Sequence, residues 1–207
     1  MSAHEIYKKW RTIPPAIAVD MDWAACQIDP DIRPLLPAGK QPRLFGSAVT
    51  AKCSPPDFGS VLKAADKITP GDVLVIAADG HRDTAMIGEI ICGVVQRNGG
   101  VGVICDGAIR DVGELAGMKD FAIYTRHTTP RGPASAKTIE VNGTVVFGGQ
   151  EIAHGDLIIG DDDGLARLTP ELAKKLLPPA QEKLDSEEKW LAQFQAGETV
   201  TSVFDLP

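Results

Sequence analysis

Apolar positions along this chain change their spacing several times, and each change marks an element. Near the N-terminus Ile6 and Trp10 fall about one helical turn apart, behind Ser2 and Glu5 at capping-box spacing, which predicts a helix over residues 3–12. Pro14-Pro15 ends it, a second helix is expected over 15–25, and the proline-rich stretch 30–42 reads as a loop. Segment 43–53, RLFGSAVTAKC, reads as a strand in which Gly46 marks a bulge, and 58–67 reads as helical. Gly71-Asp72 then opens VLVIAA, a continuous apolar run of the kind buried on both faces of a sheet. Ile87, Ile91, Val94 and Val95 recur at helical spacing, predicting a helix over 84–98 that Asn98-Gly99-Gly100 stops. A second buried strand at 101–105 completes a strand–helix–strand unit, which implies a parallel pair. A short helix over 111–118 leads to a strand at 121–125.

Beyond Tyr124 the pattern shortens. After the loop RHTTPRGPASAK come TIEV, TVVF, QEIA, DLIIG and GLARL, separated by turns at Asn142-Gly143, Gly148-Gly149, Gly155-Asp156 and Asp163-Gly164. A strand-rich half thus follows an α/β half with no linker between them. Pro170 begins a charged terminal helix to about residue 195, with Trp190 and Phe194 on one face. Such a face is poorly covered by a small domain, so subunit association is expected, with active sites between subunits of a homotrimer or hexamer.

With 207 residues, 43% hydrophobic and 24% charged, the chain fits one globular domain: an N-terminal helical segment (1–42), a core (43–169) and a C-terminal helix and tail (170–207). A net charge of −7 argues against nucleic acid or an anionic membrane surface as partner, and leaves room for a small anionic substrate. No apolar stretch approaches the length of a membrane span, and MSAHEIYKKW lacks a signal-peptide core, so a cytoplasmic location is expected. Cys26, Cys53, Cys92 and Cys105 are too widely spaced for a disulfide or zinc framework and read as reduced, mostly buried thiols.

The richest stretch for chemistry is 101–113, VGVICDGAIRDVG, where a buried strand runs through a glycine turn to Arg110-Asp111 at a helix start. Ligands of α/β sheets gather beyond the carboxyl ends of strands. Asp111 is either a ligand-binding carboxylate or a first-turn acid favoured by the helix dipole. Arg110 is unfavourable at a helix N-terminus without an anionic partner, and its fork suits a carboxylate. In TAMIGEIIC, Glu89 is either a surface residue or a working carboxylate, and Gly88 permits close backbone approach. The amides of Gly88, Glu89, Ile90 and Ile91 would form an anion-binding helix terminus. His81 near a strand end, the Asp161-Asp162-Asp163 turn, and His4, His127 and His154 are weaker candidates. No nucleophile-elbow, Walker A or HExxH motif occurs, and Gly99-Gly100-x-Gly102 precedes a strand where a dinucleotide fingerprint would follow one.

Three stretches in order, GDVLVIAADG, GEIICGVVQRNGGVGVICDGAIRDVGEL and HGDLIIGDDDGLARL, resemble the RraA-like family, which includes class II pyruvate aldolases and a regulator of a ribonuclease. The resemblance implies a swivelling β/β/α layered α/β fold with mixed sheets and a C-terminal helix, trimeric rings, and Mg2+ or Mn2+ as cofactor. The aldolase hallmark is an Asp, twenty intervening residues, then Arg-Asp. Here Glu89, Arg110 and Asp111 occupy those positions with twenty residues between Glu89 and Arg110, so the pair is intact and the first acid is changed to Glu. By resemblance Asp111 holds the metal, Arg110 and the backbone of Gly88, Glu89, Ile90 and Ile91 bind substrate, and Glu187 of a neighbouring subunit completes the site.

The implied reaction is retro-aldol cleavage of a 4-hydroxy-2-oxo acid of the 4-hydroxy-4-methyl-2-oxoglutarate or 4-carboxy-4-hydroxy-2-oxoadipate type. Oxaloacetate decarboxylation follows as a side activity because it forms the same pyruvate enolate. A cation acts as Lewis acid, Arg110 stabilises the enolate, and a water polarised near Glu89 takes the hydroxyl proton. The alternative is a non-catalytic regulator that binds a ribonuclease or another protein.

Overall fold

The computed structural model describes residues 3–206; the cap expected at Ser2 lies outside them. Three helices open the chain: α1 (Ala3–Trp10), α2 (Pro15–Met21) and α3 (Trp23–Cys26). The helix expected over 15–25 is therefore two, because the Asp22 carboxylate accepts the Ala25 amide at 3.2 Å and starts a new turn. The expected 30–42 loop contains β1 (Arg33–Pro34), followed by β2 (Leu44–Lys52), α4 (Gly59–Ala65), β3 (Asp72–Ile87), α5 (Glu89–Arg97), β4 (Gly102–Ile109), α6 (Val112–Leu115) and β5 (Ala122–Thr128). The rest is β6 (Glu140–Val141), β7 (Val145–Phe147), β8 (Gln150–Ile152), β9 (Leu157–Gly160), β10 (Leu165–Leu168), α7 (Pro170–Gln195) and α8 (Val200–Val203).

A mixed eight-stranded sheet runs β1-β5-β4-β3-β2-β9-β10, with β6 beside β2. Its centre, β2-β3-β4-β5, is parallel. Successive residues of β3 point to opposite faces: Leu74 and Ile76 pack with Val61, Val95 and Val103, while Val73 and Val75 pack with Ile32, Ile104 and Phe147. Burial on both faces explains why VLVIAA is uniformly apolar. One face is covered by α4 and α5, the other by the β7–β8 hairpin and the 28–32 segment. A third cluster joins Trp10, Ile13 and Ile17 to Leu157 and Leu176, docking the N-terminal helices and the start of α7 onto β9–β10.

β3, β4 and β5 all run further than their apolar pattern indicated, and the extensions of β3 and β4 shape the site most. β3 continues to Ile87, so residues 84–87 belong to a strand and α5 begins only at Glu89. A buried apolar run fits strand or helix equally, and here pairing decides: Ala85 lies opposite Ala108 and Ile87 opposite Ile109. β3 passes a bend at Asp79 and Gly80, both with positive φ (51° and 68°), with register shifts beyond it. β4 likewise runs to Ile109, so Gly107 sits inside a strand where a turn was expected.

α7 spans the range expected for the terminal helix. Thr169 caps it by accepting the Leu172 amide at 3.1 Å, and Pro170 occupies its first turn. Its first half is buried through Ala173, Leu176 and Ala180, and the Trp10 indole donates to the Ala173 carbonyl at 3.0 Å. Beyond Ala180 the helix is largely exposed, and Trp190 and Phe194 are half-buried against Phe204 of the returning tail, at 5.0 and 5.9 Å.

Candidate functional site

The parallel strands β3, β4 and β5 end side by side, and their carboxyl ends carry the site. Gly88 follows β3, Arg110 and Asp111 follow β4, and Thr128 closes β5 opposite Ile109. The Arg110 amide donates to the Ile87 carbonyl at 3.1 Å and the Thr129 amide to the Ile109 carbonyl at 3.0 Å, so the three ends are tied together.

Asp111 stands in the left-handed region at φ 59°, ψ 40°, a conformation Asp adopts more readily than most residues. It precedes α6 without capping it. Its Oδ2 instead accepts the Glu89 amide at 3.1 Å and lies 3.4 Å from Arg110 Nε. The reading of Asp111 as an ordinary helix-start acid therefore gives way to a carboxylate turned across to the N-terminus of α5. Both side chains stay well exposed, 40% for Arg110 and 36% for Asp111. Among the described residues Asp111 Oδ1 accepts no hydrogen bond, which leaves an oxygen ligand available.

Gly88 leaves room for the Asp111 carboxylate. A Cβ at this position would collide with Asp111 Oδ2 and lie 2.9 Å from Arg110 Cγ. Gly132 closes over the other side of Arg110, where a Cβ would come within 2.7 Å of Nη1.

Gly88, Ile90, Ile91, Arg110 and Asp111 share a cavity of about 210 Å3 whose remaining wall is apolar, built by Phe58, Met86 and Pro133 among others. Glu89 contributes its backbone amide to this arrangement, and its side chain is exposed at the first turn of α5. Ile90 is 74% exposed, an unusual position for a large apolar side chain. A second opening shares Arg110 and Asp111 with the first and is also lined by Thr128, Thr129 and Pro130. Glu187 lies in α7, paired with Lys183 at 3.6 Å, and does not line either cavity. Sequence reasoning missed Thr128, Thr129 and Gly132; the glycine in RHTTPRGPASAK was the one local signal for them.

The weaker candidates are held by their surroundings. The His81 ring engages Thr84, with Nε2 2.7 Å from Oγ1 and accepting the Thr84 amide at 3.1 Å. The Asp161–Asp163 stretch is a turn in which Asp161 Oδ1 accepts the Asp163 amide and Asp162 Oδ2 accepts the Gly39 amide. All four cysteines are free. Burial pushes the Cys26 thiol up to about 11 and that of Cys53 to about 12. Cys92 rises to about 12 through burial and then the nearby Asp111 charge, and burial raises Cys105 well above its ordinary value. Burial of this kind makes a thiol a poor nucleophile. Among the described residues no three His, Cys, Asp or Glu side chains gather into a metal-binding group, and no helix is long and apolar enough to cross a membrane.

Residues 18–166 match the model of the RraA-like family, Aldolase/RraA. A protein of Halalkalibacterium halodurans, provisionally named 4-hydroxy-4-methyl-2-oxoglutarate aldolase, is 31% identical over 180 residues, 87% of this chain and 84% of that protein. Among solved structures, an uncharacterised protein from Pseudomonas syringae superposes with a TM-score of 0.83 at 20% identity, covering 97% of this chain and 96% of the other. Streptomyces coelicolor RraAS2, described as an unusual member of the RNase ES inhibitor RraA family, gives a TM-score of 0.79 at 24% identity, covering 89% and 94%. At these identities the structural matches establish the fold alone.

Proposed function

The chain belongs to the RraA-like family, and from that premise we propose that it is a divalent-metal-dependent aldolase. It cleaves 4-hydroxy-2-oxo acids to pyruvate and a second 2-oxo acid, and decarboxylates oxaloacetate as a side reaction. One observation carries the reading: Arg110, Asp111 and the amide-bearing start of α5 meet at one cavity, with both charged side chains exposed to it.

The donor set is compatible with Mg2+ or Mn2+. A single carboxylate with one uncommitted oxygen leaves most coordination positions to water and substrate, which is how Mg2+ is usually held. Asp111 would hold the ion, and Glu187 of a neighbouring subunit is proposed to complete the site. When bound, the cation supplies Lewis-acid charge at the keto oxygen of the substrate.

The chain's own residues do the rest. The amides at the start of α5 and the Arg110 fork bind the carboxylate of the pyruvyl unit. A water polarised by Glu89 accepts the proton of the C4 hydroxyl. The C3–C4 bond breaks, C4 becomes the carbonyl of the departing oxo acid, and the electron pair passes to C3 as pyruvate enolate. Arg110 stabilises that charge until C3 is protonated. With oxaloacetate the same bond breaks and carbon dioxide leaves. The exposed Ile90 beside the cavity, and the exposed half of α7, support a homotrimer or hexamer with the sites between subunits.

The test is pyruvate release from oxaloacetate and from 4-hydroxy-4-methyl-2-oxoglutarate. Activity is expected with Mg2+ or Mn2+, to vanish in EDTA and to return on re-addition. Undiminished turnover in chelator would sink the mechanism, and absence of turnover with every divalent ion would favour a non-catalytic, protein-binding role.

A further inference from the structure

Among the described residues Arg110 and Asp111 are the only charged ones lining the first cavity, and every other side chain in its wall is apolar. Phe58 and Leu62 come from the start of α4, Ile90 and Ile91 from α5, and Met86 from β3. This wall is fixed in place. Phe58 and Ile91 pack against the core cluster that contains Met86, Ile87 and Val95. Pro133, which also lines the cavity, lies in a segment tied down on both sides of it. The Ala85 amide donates to the Arg131 carbonyl at 2.8 Å, and the Phe58 amide to the Ser135 carbonyl at 3.1 Å. Proline has no N–H, so position 133 offers the cavity no backbone donor.

A carboxylate set against such a wall loses water and gains no donor, which is costly, whereas hydrocarbon gains by leaving water. In the proposed substrates C4 carries a hydroxyl, a carboxylate and one further group. With the pyruvyl unit held at Arg110 and Asp111, the same cavity has apolar side chains to offer that further group. Phe58, Leu62, Met86, Ile91 and Pro133 present more surface than one methyl group can cover, and Ile90 is left 74% exposed beside them.

We propose that the further group on C4 is a hydrocarbon larger than methyl, branched alkyl or aryl, so that cleavage gives pyruvate and a 2-oxo acid with an apolar side chain. The proposal rests on the aldolase reading for the placement of the pyruvyl unit, and the bond breaks and the proton moves as set out there. Phe58, Leu62 and Ile91 are specificity residues, apart from the reacting atoms.

Binding measured without turnover tests this subsite apart from the reaction. Isothermal titration in the presence of Mg2+ compares pyruvate, 4-methyl-2-oxopentanoate and 2-oxoglutarate, none of which has the C4 hydroxyl that cleavage needs. Each buried methylene is worth about three- to fourfold in affinity. The wild type is therefore expected to bind 4-methyl-2-oxopentanoate about ten- to fiftyfold more tightly than pyruvate, with a more negative heat-capacity change, and 2-oxoglutarate no more tightly than pyruvate. Leu62→Ala should cut that gain by about threefold or more, and Leu62→Arg should cancel it and favour 2-oxoglutarate, both with pyruvate binding and the mass in light scattering unchanged. A wild type that binds all three alike or prefers 2-oxoglutarate overturns the proposal, as does a gain untouched by both variants. So does a change of mass in the variants, which would assign the wall to a contact between subunits. Arg110→Ala should weaken all three ligands alike; undisturbed binding there would overturn the placement of the pyruvyl unit and this proposal with it. Absence of turnover with every divalent ion, beside an intact hydrocarbon preference, would overturn the aldolase reading alone.

Discussion

Arg126 and Asp106 lie 20 positions apart in the chain yet meet at 2.7 Å, with side chains 15% and 9% exposed; Arg110 and Asp111 are chain neighbours that stand 3.4 Å apart, 40% and 36% exposed. Both pairs belong to the region of β4 and β5. In the first, every group is committed. Asp106 also accepts the Gly148 amide at 3.1 Å, and Arg126 reaches Asp29 at 2.8 Å, which fastens the β7–β8 hairpin and the segment before β1 to the sheet. In the second, contacts are long, exposed and few. Closely paired buried charges cost too much desolvation to be released to a ligand, whereas a loose exposed pair keeps its donors and acceptors available. The same two residue types therefore build the scaffold in one place and the site in the other.

The largest expected effects come from exchanging these roles. Arg110→Ala and Asp111→Asn should each lower kcat for pyruvate release by about 10²–10³-fold or more, with the melting temperature almost unchanged, since asparagine tolerates the left-handed backbone at 111. Asp106→Ala should do the reverse, costing about 2–3 kcal/mol in chemical denaturation because Arg126 is left with Asp29 as its close partner and the buried Gly148 amide loses its acceptor, while kcat per folded molecule is retained. A parallel loss of activity and stability in both sets would erase the distinction.

Glu89 sharpens the comparison at the site itself. Glu89→Gln keeps the amide that holds Asp111 and removes only the charge, so kcat should fall about 10²-fold with little change in KM; Glu89→Asp should fall less. An unaltered kcat for Glu89→Gln on both substrates would remove the side chain from the reaction.

The smallest effect is one of pH. The Asp31 amide, and then the Arg126 guanidinium, hold the Asp29 carboxyl below its usual value. A depressed folded pKa adds stability above the ordinary carboxylate value, and this is lost as pH falls through the folded one. The melting temperature should therefore drop from near neutrality to below about 4, with a shallower drop in Asp29→Asn.

How much of this was legible in the residues differed with range. Local signals were read well: Asn142-Gly143 and Gly148-Gly149 marked turns, and Thr169-Pro170 stands where α7 begins. Strand lengths were read short, because 84–87 and 106–109 gain their strand character from pairing with each other across a bend, which no local period encodes. At the site, Gly88, Arg110 and Asp111 stood out by charge and placement. Thr128, Thr129 and Gly132 did not, since they arrive from a stretch that reads as an ordinary loop and acquire meaning only where β5 ends beside β4. The Arg126–Asp106–Asp29 network was invisible for the same reason.

The positive φ of Asp111 carries a consequence for how this chain tolerates change. A left-handed backbone costs a non-glycine residue free energy that glycine or asparagine largely avoids. Replacing Asp111 by glycine should therefore relax the turn after β4 and raise the melting temperature slightly, even as it removes the carboxylate that the proposed reaction uses. The position records a trade between durability and activity. In a library of variants selected for thermal resistance alone, glycine and asparagine should accumulate at 111; under selection for pyruvate release, aspartate should persist against that drift.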